Sequence, residues 1–216
     1  MRSPGDDCKN APVNDPDLIE RIRHWVAQND QSPGERASAT TMEIAEAELG
    51  FSLPPLLARL YSDIGDGLFG PGGTLLPMVD GADETVLGEY NAFMGKRDGA
   101  EFYWPAGVIP VLAWGSGMYA AVDCLSDKAP VRLFEPNGIS ATASWANAWY
   151  TDTDNLDAWL ESWMRDDAWF SENADPDRVH EPSSWAEAAS RLADRKPLRD
   201  LTPEKRKPSP GKRKKK

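Results

Sequence analysis

Apolar residues recur at three- and four-residue spacing in the first third of the chain, and this spacing predicts amphipathic helices. The first helix opens at Pro16, behind an Asp15 cap, and presents one apolar face. The second begins at a capping box formed by Thr40 and Glu43 and ends at Gly50, which tolerates the left-handed conformation. The apolar face of the first helix consists of Leu18, Ile19, Ile22, Trp25 and Val26.

A third predicted helix precedes a glycine-rich segment. Its cap is Ser52, Pro54 and Pro55 occupy its first turn, and Gly65 ends it. The segment Gly65-Asp66-Gly67-Leu68-Phe69-Gly70 has the G-x-G-x-x-G spacing of a dinucleotide-binding loop. Such a loop must follow a strand and open a helix, whereas here a helix precedes it and Pro71 follows it. We therefore predict that these glycines are turn residues without a ligand, and that the protein needs no cofactor.

The second half of the chain predicts a sheet. Three strand-like runs are separated by Gly115-Ser116-Gly117 and Ser126-Asp127-Lys128, a pattern typical of antiparallel hairpins. Because helices come first and hairpin-linked strands follow, we predict an α+β fold with a mixed, mainly antiparallel sheet and helices packed against it. The predicted elements are short strands at 74–79, a helical segment at 83–94, strands at 108–113, 118–125 and 131–135, and a last helix at 155–170.

Two blocks of short motifs follow one another within residues 15–170. The first comprises Ile44, Glu46, Leu49-Gly50-Phe51-Ser52-Leu53-Pro54, Leu60-Tyr61 and the Gly67–Gly70 turn before Leu75-Leu76-Pro77. The second comprises Val108-Ile109-Pro110-Val111, Trp114-Gly115-Ser116-Gly117-Met118-Tyr119, Val122-Asp123-Cys124, Pro130-Val131 and Phe134. In order and spacing they resemble the SUKH superfamily, which includes Smi/Knr-type regulators of fungal cell-wall assembly and many bacterial toxin-immunity proteins. Ser116 stands where the family often has a cysteine, and residues 80–104 match little.

The resemblance implies a domain organisation and a function. Residues 15–170 would form a SUKH-like domain, between a disordered leader at 1–14 and an extension at 171–216 that ends in a disordered basic tail. The domain would bind protein without catalysis, most simply as an immunity protein that neutralises a cognate toxin domain, often a nuclease, by occlusion. A stand-alone regulatory or scaffold protein of the same superfamily is the alternative, and an uncharacterised enzyme is the third interpretation.

The uneven distribution of charge indicates the kind of partner. From Arg195 to Lys216 there are eleven Lys and Arg against Asp200 and Glu204, so this segment has a net charge of +9. Because the whole chain has a net charge of −11, the residues before Arg195 have a net charge of −20. An acidic body repels nucleic acid and membrane surfaces and favours a basic protein partner, although acidity also serves solubility alone. The basic tail either contacts nucleic acid, membrane or its own acidic body, or is simply a solvated terminus.

The sequence contains few residues at the spacing of a catalytic or metal-binding site. A nucleophile triad needs a well-placed histidine, and the chain has two. His24 lies on the first helix beside Trp25, as expected for a partly exposed helix residue, and His180 lies in a Pro-containing acidic run. Two histidines and two cysteines at scattered positions do not have zinc-ligand spacing. The carboxylates between 152 and 167 are typical of a solvated helix face. We therefore predict no catalytic residues, no metal and no enzyme activity.

Aromatic residues supply the candidate binding site. Trp159 and Trp163 lie one helical turn apart and are expected in the core. Trp145, Trp149 and Tyr150 lie in a predicted loop, where at least one could serve as an exposed interface anchor beside acidic side chains. The predicted partner-binding residues are Trp145, Trp149, Tyr150, Asp152 and Asp154.

The N-terminal segment and the absence of long apolar runs bear on localisation. Residues 1–17 are polar and acidic and lack the apolar centre of a signal peptide. No run of eighteen apolar residues occurs in the sequence. We therefore expect a cytoplasmic protein that does not enter a membrane.

Overall fold

A computed structural model describes residues 16–71, 75–79, 84–94, 102–140, 144–171, 177, 179 and 181–194. These residues form six α-helices and five strands, and the predicted α+β fold is confirmed. The helices are α1 Pro16–Gln28, α2 Ala39–Leu49, α3 Pro55–Arg59, α4 Val86–Phe93, α5 Leu156–Arg165 and α6 Ala188–Ala193. The strands are β1 Val108–Gly115, β2 Met118–Asp123, β3 Val131–Phe134, β4 Trp149–Thr153 and β5 Ser183–Ser184.

The five strands form one sheet in chain order, β1-β2-β3-β4-β5, and every pair is antiparallel. The β1–β2 hairpin closes through Ser116 and Gly117, which both have positive φ, 52° and 77°. Two such residues match the right-handed twist of the flanking strands. Gly117 tolerates this backbone without a Cβ clash, whereas Ser116 adopts it as a residue with a side chain.

The edge strand β1 carries a bulge at Val111, the extra residue between the pairs that Pro110 and Leu112 make with β2. The carbonyl of Val111 accepts the amide of Leu76 at 2.9 Å, so the segment after the glycine-rich turn is fixed to this edge. Leu75 makes a single bridge to Leu112, and no longer strand forms in the described part of 74–79, which corrects the predicted strands there. Pro110 is tolerated because an edge strand can leave one backbone donor position unused.

The N-terminal helices begin and end close to the predicted residues, with two corrections at their caps. Ser38, two residues before the predicted cap, accepts the Thr41 amide at 3.0 Å, and Gly50 ends α2 with φ 79° as expected. Ser52 does not cap α3, because the cap position is Pro54 and no side chain bonds there. Helix α3 continues as a π-helical turn, Leu60–Ile64.

The sheet is covered on both faces, so β3 is buried along its whole length. Helix α5 packs against β4 and also against α1 and α3, while α4 packs against β1. An aromatic layer centred on Trp104 covers one face, with Phe134 and Trp149 at centroid distances of 5.2 and 4.7 Å. The apolar face predicted for α1 and the two tryptophans of α5 belong to the same core, as expected.

The described chain beyond α5 adds to this fold. Helix α5 ends at Arg165, where Asp166 adopts φ 55°, so the predicted last helix is shorter than 155–170. Ser183 and Ser184 then pair with β4 as β5, and α6 follows. Trp185 and Leu192 belong to the same hydrophobic core as the elements before residue 170. Part of the segment that the sequence assigned to an extension therefore completes the sheet and the core.

Candidate partner-binding surface

Two of the five predicted binding residues lie inside the protein. Trp149 is 1% exposed, and its indole N–H donates to the Tyr103 carbonyl at 2.9 Å. Asp152 is 3% exposed, and its Oδ2 accepts the indole N–H groups of Trp159 and Trp169, each at 3.1 Å. Neither side chain is available on the surface of the folded chain, so the prediction that they contact a partner directly is corrected.

The physical reason is that residues 145–153 are not a loop. Trp145–Ala148 form a 3₁₀ turn, and β4 begins at Trp149. Asp152 is the extra residue of a bulge, because Thr151 and Thr153 pair with consecutive residues of β3. The bulge aims its carboxylate at α5 rather than at solvent. Asp152 therefore does not belong to the solvated face on which the sequence placed it.

The other three predicted residues remain accessible to different degrees. Trp145 and Tyr150 are half-buried, and the Trp145 ring lies 5.6 Å from the Tyr103 ring. Asp154 is exposed just beyond β4. The structure thus brings Trp145 and Asp154 to opposite ends of the segment that contains β4, and a contact between any of the three and a partner stays a prediction.

Asp154 borders two open clefts. One cleft, of about 530 Å³, lies against the β2–β3 turn and is also lined by Lys128 and Arg132. The other, of about 480 Å³, lies between β4 and α5 and is also lined by Arg165 and Trp169. Asp154 is therefore the predicted site residue with the most accessible and most polar surroundings.

In the glycine-rich turn before Leu75, Gly67 and Gly70 have the turn backbone that the sequence predicts, whereas Gly65 ends the π-helical turn with extended backbone. Gly67 and Gly70 have φ 69° and 91°, in the region that favours glycine. Gln31 occupies both polar groups of Gly70, because its Oε1 accepts the Gly70 amide at 2.9 Å and its Nε2 donates to the Gly70 carbonyl at 2.7 Å. The turn is held by the protein's own groups, and Gly67 accepts a further bond from the Gly34 amide at 3.2 Å.

Leu68, between these glycines, is the surface residue that sequence reasoning missed. Its φ is 63°, its side chain is 49% exposed, and its amide donates to the Leu75 carbonyl at 2.8 Å. A bulky residue in the left-handed region is strained, and such strain persists mainly where function or packing demands it. Packing does not account for an exposed side chain. The position of Leu68 between the turn glycines Gly67 and Gly70 is the sequence signal for this conformation.

The described residues contain few groups suited to chemistry. They include no cluster of three or more His, Cys, Asp or Glu side chains with the proximity of a metal site. His24 is exposed on α1, and burial raises the pKa of the Cys124 thiol well above its usual value, an effect that the Asp123 carboxylate increases. Glu161 and Asp167, placed by the sequence on a solvated face, form ion pairs with Arg165.

The helices of the described segments are all too short or too polar to cross a bilayer. No family model matches the sequence, and no curated protein is significantly similar to it.

Proposed function

We propose that this chain is a non-catalytic binding protein of the SUKH type, and that it neutralises a basic toxin domain in the cytoplasm by covering the toxin's functional surface. The observation that carries the proposal is Leu68, a strained and half-exposed apolar residue on a hydrogen-bonded turn. The order of the SUKH-like motifs supports the choice of superfamily, and the charge of the chain supports the choice of partner.

The turn gives Leu68 the properties of an interface anchor. The hydrogen bonds of Gly67, Leu68 and Gly70 fix the backbone on both sides of the leucine. A turn backbone that is already fixed loses little conformational entropy when a partner binds it, so more of the burial energy appears as affinity. A few such central residues typically dominate the binding energy of an interface.

The charge of the chain selects for partners of opposite sign. The residues before Arg195 carry a net charge of −20. A surface of this sign accelerates encounter with a basic protein and disfavours nucleic acid. A nuclease domain presents a basic face to phosphate groups, so an acidic protein that covers this face prevents access of the substrate. No chemical step on the toxin is required.

The experiment uses the full chain as bait, identifies the captured protein, and measures association rates across a salt series. We expect a basic partner and an association rate that falls as salt rises, because charges more than about 8–10 Å apart are screened at 0.1–0.15 M salt. An acidic partner, or an association rate indifferent to salt, would contradict the proposed steering. A captured partner without toxic activity would favour the regulatory alternative.

The variant Leu68→Asn tests the anchor. Asparagine accepts positive φ more readily than leucine, so we expect an unchanged or higher melting temperature. Because the apolar anchor is lost, we expect partner binding to weaken by about tenfold or more, which corresponds to ~1.4 kcal/mol. Ile44→Ala is the matched control, since Ile44 is 46% exposed on a regular helix and should tolerate the change without loss of binding. Equal effects of the two substitutions on binding would remove Leu68 from the interface.

A further inference from the structure

A buried arginine on the central strand of the sheet has no ion-pair partner among the described residues. Arg132 of β3 is 7% exposed, its Nη1 donates to the Thr151 hydroxyl, and its guanidinium carbon lies 4.4 Å from the centroid of the Trp185 ring. Its Nε is buried and finds no acceptor in the described residues. Arg132 also forms no ion pair with a carboxylate of the part of the chain that the structure describes.

A second arginine against the same tryptophan has the opposite arrangement. Arg191 of α6 lies 5.4 Å from the centroid of the Trp185 ring. Its Nη1 and Nη2 donate to the two oxygens of Asp123 at 2.8 and 3.0 Å, and Nη2 also donates to the Ala106 carbonyl at 3.2 Å. Asp123 is fully buried, so this bidentate pair compensates both charges. The two arginines form a natural comparison of a paired with an unpaired guanidinium.

The guanidinium of Arg132 loses hydration on burial without gaining an ion pair among the described residues. Arginine stays protonated in proteins, so Arg132 cannot relieve the loss of water by losing its charge. Burial lowers the pKa of Arg132, while the nearby carboxylates of Asp123, Glu187 and Asp154 act in the opposite direction and Arg191 adds to the lowering. A buried charge normally has a hydrogen-bonded partner of opposite sign. An oxyanion is the partner that the geometry of a guanidinium fork prefers.

Arg132 reaches solvent through the cleft at the β2–β3 turn. This cleft of about 530 Å³ is lined by one further cation, Lys128, and by two carboxylates, Asp127 and Asp154. Ser126 also lines it, but the Ser126 hydroxyl already donates to Asp123 at 3.1 Å. Because the two carboxylates oppose additional negative charge, the cleft suits a singly charged oxyanion better than a doubly charged phosphate. The carboxylates also offer acceptors to a cationic group on the same ligand.

We propose that this cleft is a binding site for a small zwitterion with the chemistry of a free amino acid, whose carboxylate pairs with Arg132 and Lys128 and whose ammonium group faces Asp154. The site rests on Arg132 and its surroundings and does not depend on the proposed toxin partner. Its apolar lining, Leu125 and Pro130, leaves room for a small side chain.

Three probes define the ligand class: glycine, acetate and inorganic phosphate, each compared with sodium chloride at equal ionic strength. The readouts are the ¹⁵N-resolved Arg132 Nε–H signal and the melting temperature of the full chain. We expect saturable shifts of this signal with glycine, a smaller response to acetate and the smallest to phosphate. No saturable response to any probe overturns the site, and a response strongest with phosphate overturns the zwitterion assignment.

Paired variants connect the binding to Arg132. Arg132→Met keeps an unbranched stem over Trp185 and removes the charge, so we expect loss of the glycine effect and an unchanged or higher melting temperature. Arg191→Met is the control, and it should lower the melting temperature because Asp123 is left buried without its partner. If both variants lower the melting temperature equally, Arg132 is already compensated within the chain and the proposal fails.

Two surface variants keep the test independent of folding. Lys128→Met should weaken glycine and acetate binding without changing the melting temperature, since Lys128 is exposed. Asp154→Asn should weaken glycine binding and strengthen acetate binding, because it removes both the acceptor for the ammonium group and a repulsive charge. A marked loss of stability in Asp154→Asn would identify Asp154 itself as the partner of Arg132, and would overturn the proposal.

Discussion

Trp149 is held on several sides by the aromatic layer and by one polar contact. Its ring centroid lies 4.7 Å from that of Trp104, 4.9 Å from that of Phe134 and 6.0 Å from that of Trp185. The bond from its indole N–H to Tyr103 fixes the segment before β1 against β4. Trp149 therefore contributes to the fold rather than to a surface contact.

Alanine substitution at two neighbouring tryptophans measures this difference. Trp149→Ala should lower the free energy of unfolding by about 3–5 kcal/mol, because it leaves a cavity and an unbonded carbonyl in a layer that cannot collapse fully. Trp145→Ala should cost clearly less, since Trp145 is half-buried at the edge of the same layer. Urea denaturation of both variants gives the two values. Equal losses would show that the edge of the layer is packed as tightly as its centre.

Tyr61 gives stability a dependence on alkaline pH. Its hydroxyl donates to the Leu76 carbonyl at 2.9 Å, and burial raises its pKa well above the usual value, with Asp66 and Cys124 adding to the effect. The folded chain thus keeps a proton that the unfolded chain releases above pH of about 10. Tyr61 therefore makes its full contribution to the free energy of unfolding below that pH, and this contribution decreases as the pH rises above it.

The variant Tyr61→Phe should therefore have two effects. At pH 7 it loses about 1 kcal/mol with the hydrogen bond, and above pH of about 10 its stability should fall less steeply than that of the parent chain. Burial and Glu89 also raise the pKa of Tyr119. The stability of the variant should therefore still decrease somewhat with rising alkaline pH. Urea denaturation between pH 7 and 11 gives the comparison. Parallel curves for variant and parent would exclude Tyr61 as a source of the alkaline loss.

The turn that carries Leu68 depends on one glycine for its close approach to the following segment. A Cβ at Gly67 would lie 2.6 Å from the Pro77 nitrogen and 2.7 Å from the Leu75 oxygen, and the residue has φ 69°. Both contacts involve backbone atoms, which cannot rotate away as a flexible side chain could. The turn therefore cannot accept a side chain at this position without moving the segment that bonds to β1.

Gly67→Ala should lower the free energy of unfolding by more than about 1 kcal/mol. Gly138→Ala is the control, because a Cβ at Gly138 would meet open space, and its change should stay within about 0.5 kcal/mol. Thermal denaturation of the two variants and the parent chain gives both changes in the free energy of unfolding. A loss at Gly138 as large as that at Gly67 would show that the clash is not the cause, because Gly→Ala without a clash only restricts the unfolded chain and should not destabilise the fold.

The elements with a strong period were predictable from the sequence, and those fixed by tertiary contacts were not. The strands β1 to β3 and the helices α1 and α5 follow apolar spacing between glycine and polar turns. β5 has two residues, too few for any period, and it exists because β4 offers an edge to Ser183 and Ser184. The bulge at Asp152 shows no sequence signal either, so a carboxylate that accepts two buried indole bonds resembled a surface residue.

At the scale of the molecule, the described C-terminal elements β5 and α6 connect distant parts of the fold. Arg191 joins α6 to Asp123 at the end of β2, and Trp185 packs on Trp149. These contacts span the sheet, so β5 and α6 link its two halves. Removing them would leave Asp123 charged and buried, which costs about 3–5 kcal/mol by itself.

Two truncations test this closure. A chain ending at Glu181 should unfold or lose most of its stability, since the loss of Arg191 and Trp185 is comparable to the typical total of about 5–15 kcal/mol. A chain ending at Asp194 retains all the described contacts and should match the parent in melting temperature. Far-ultraviolet circular dichroism on heating distinguishes the two. Full stability of the shorter chain would place β5 and α6 outside the cooperative unit.

The arrangement of strands in chain order also has a consequence for the folding pathway. Each strand pairs with the strand next to it in the sequence, and β1, β2 and β3 are joined by short turns, which favour a low contact order and fast folding. The exceptions are long-range: α1 must meet α5, and Arg191 must reach Asp123. A newly synthesised chain can therefore assemble β1 to β3 early, while the neutralisation of Asp123 waits until Arg191 has been synthesised.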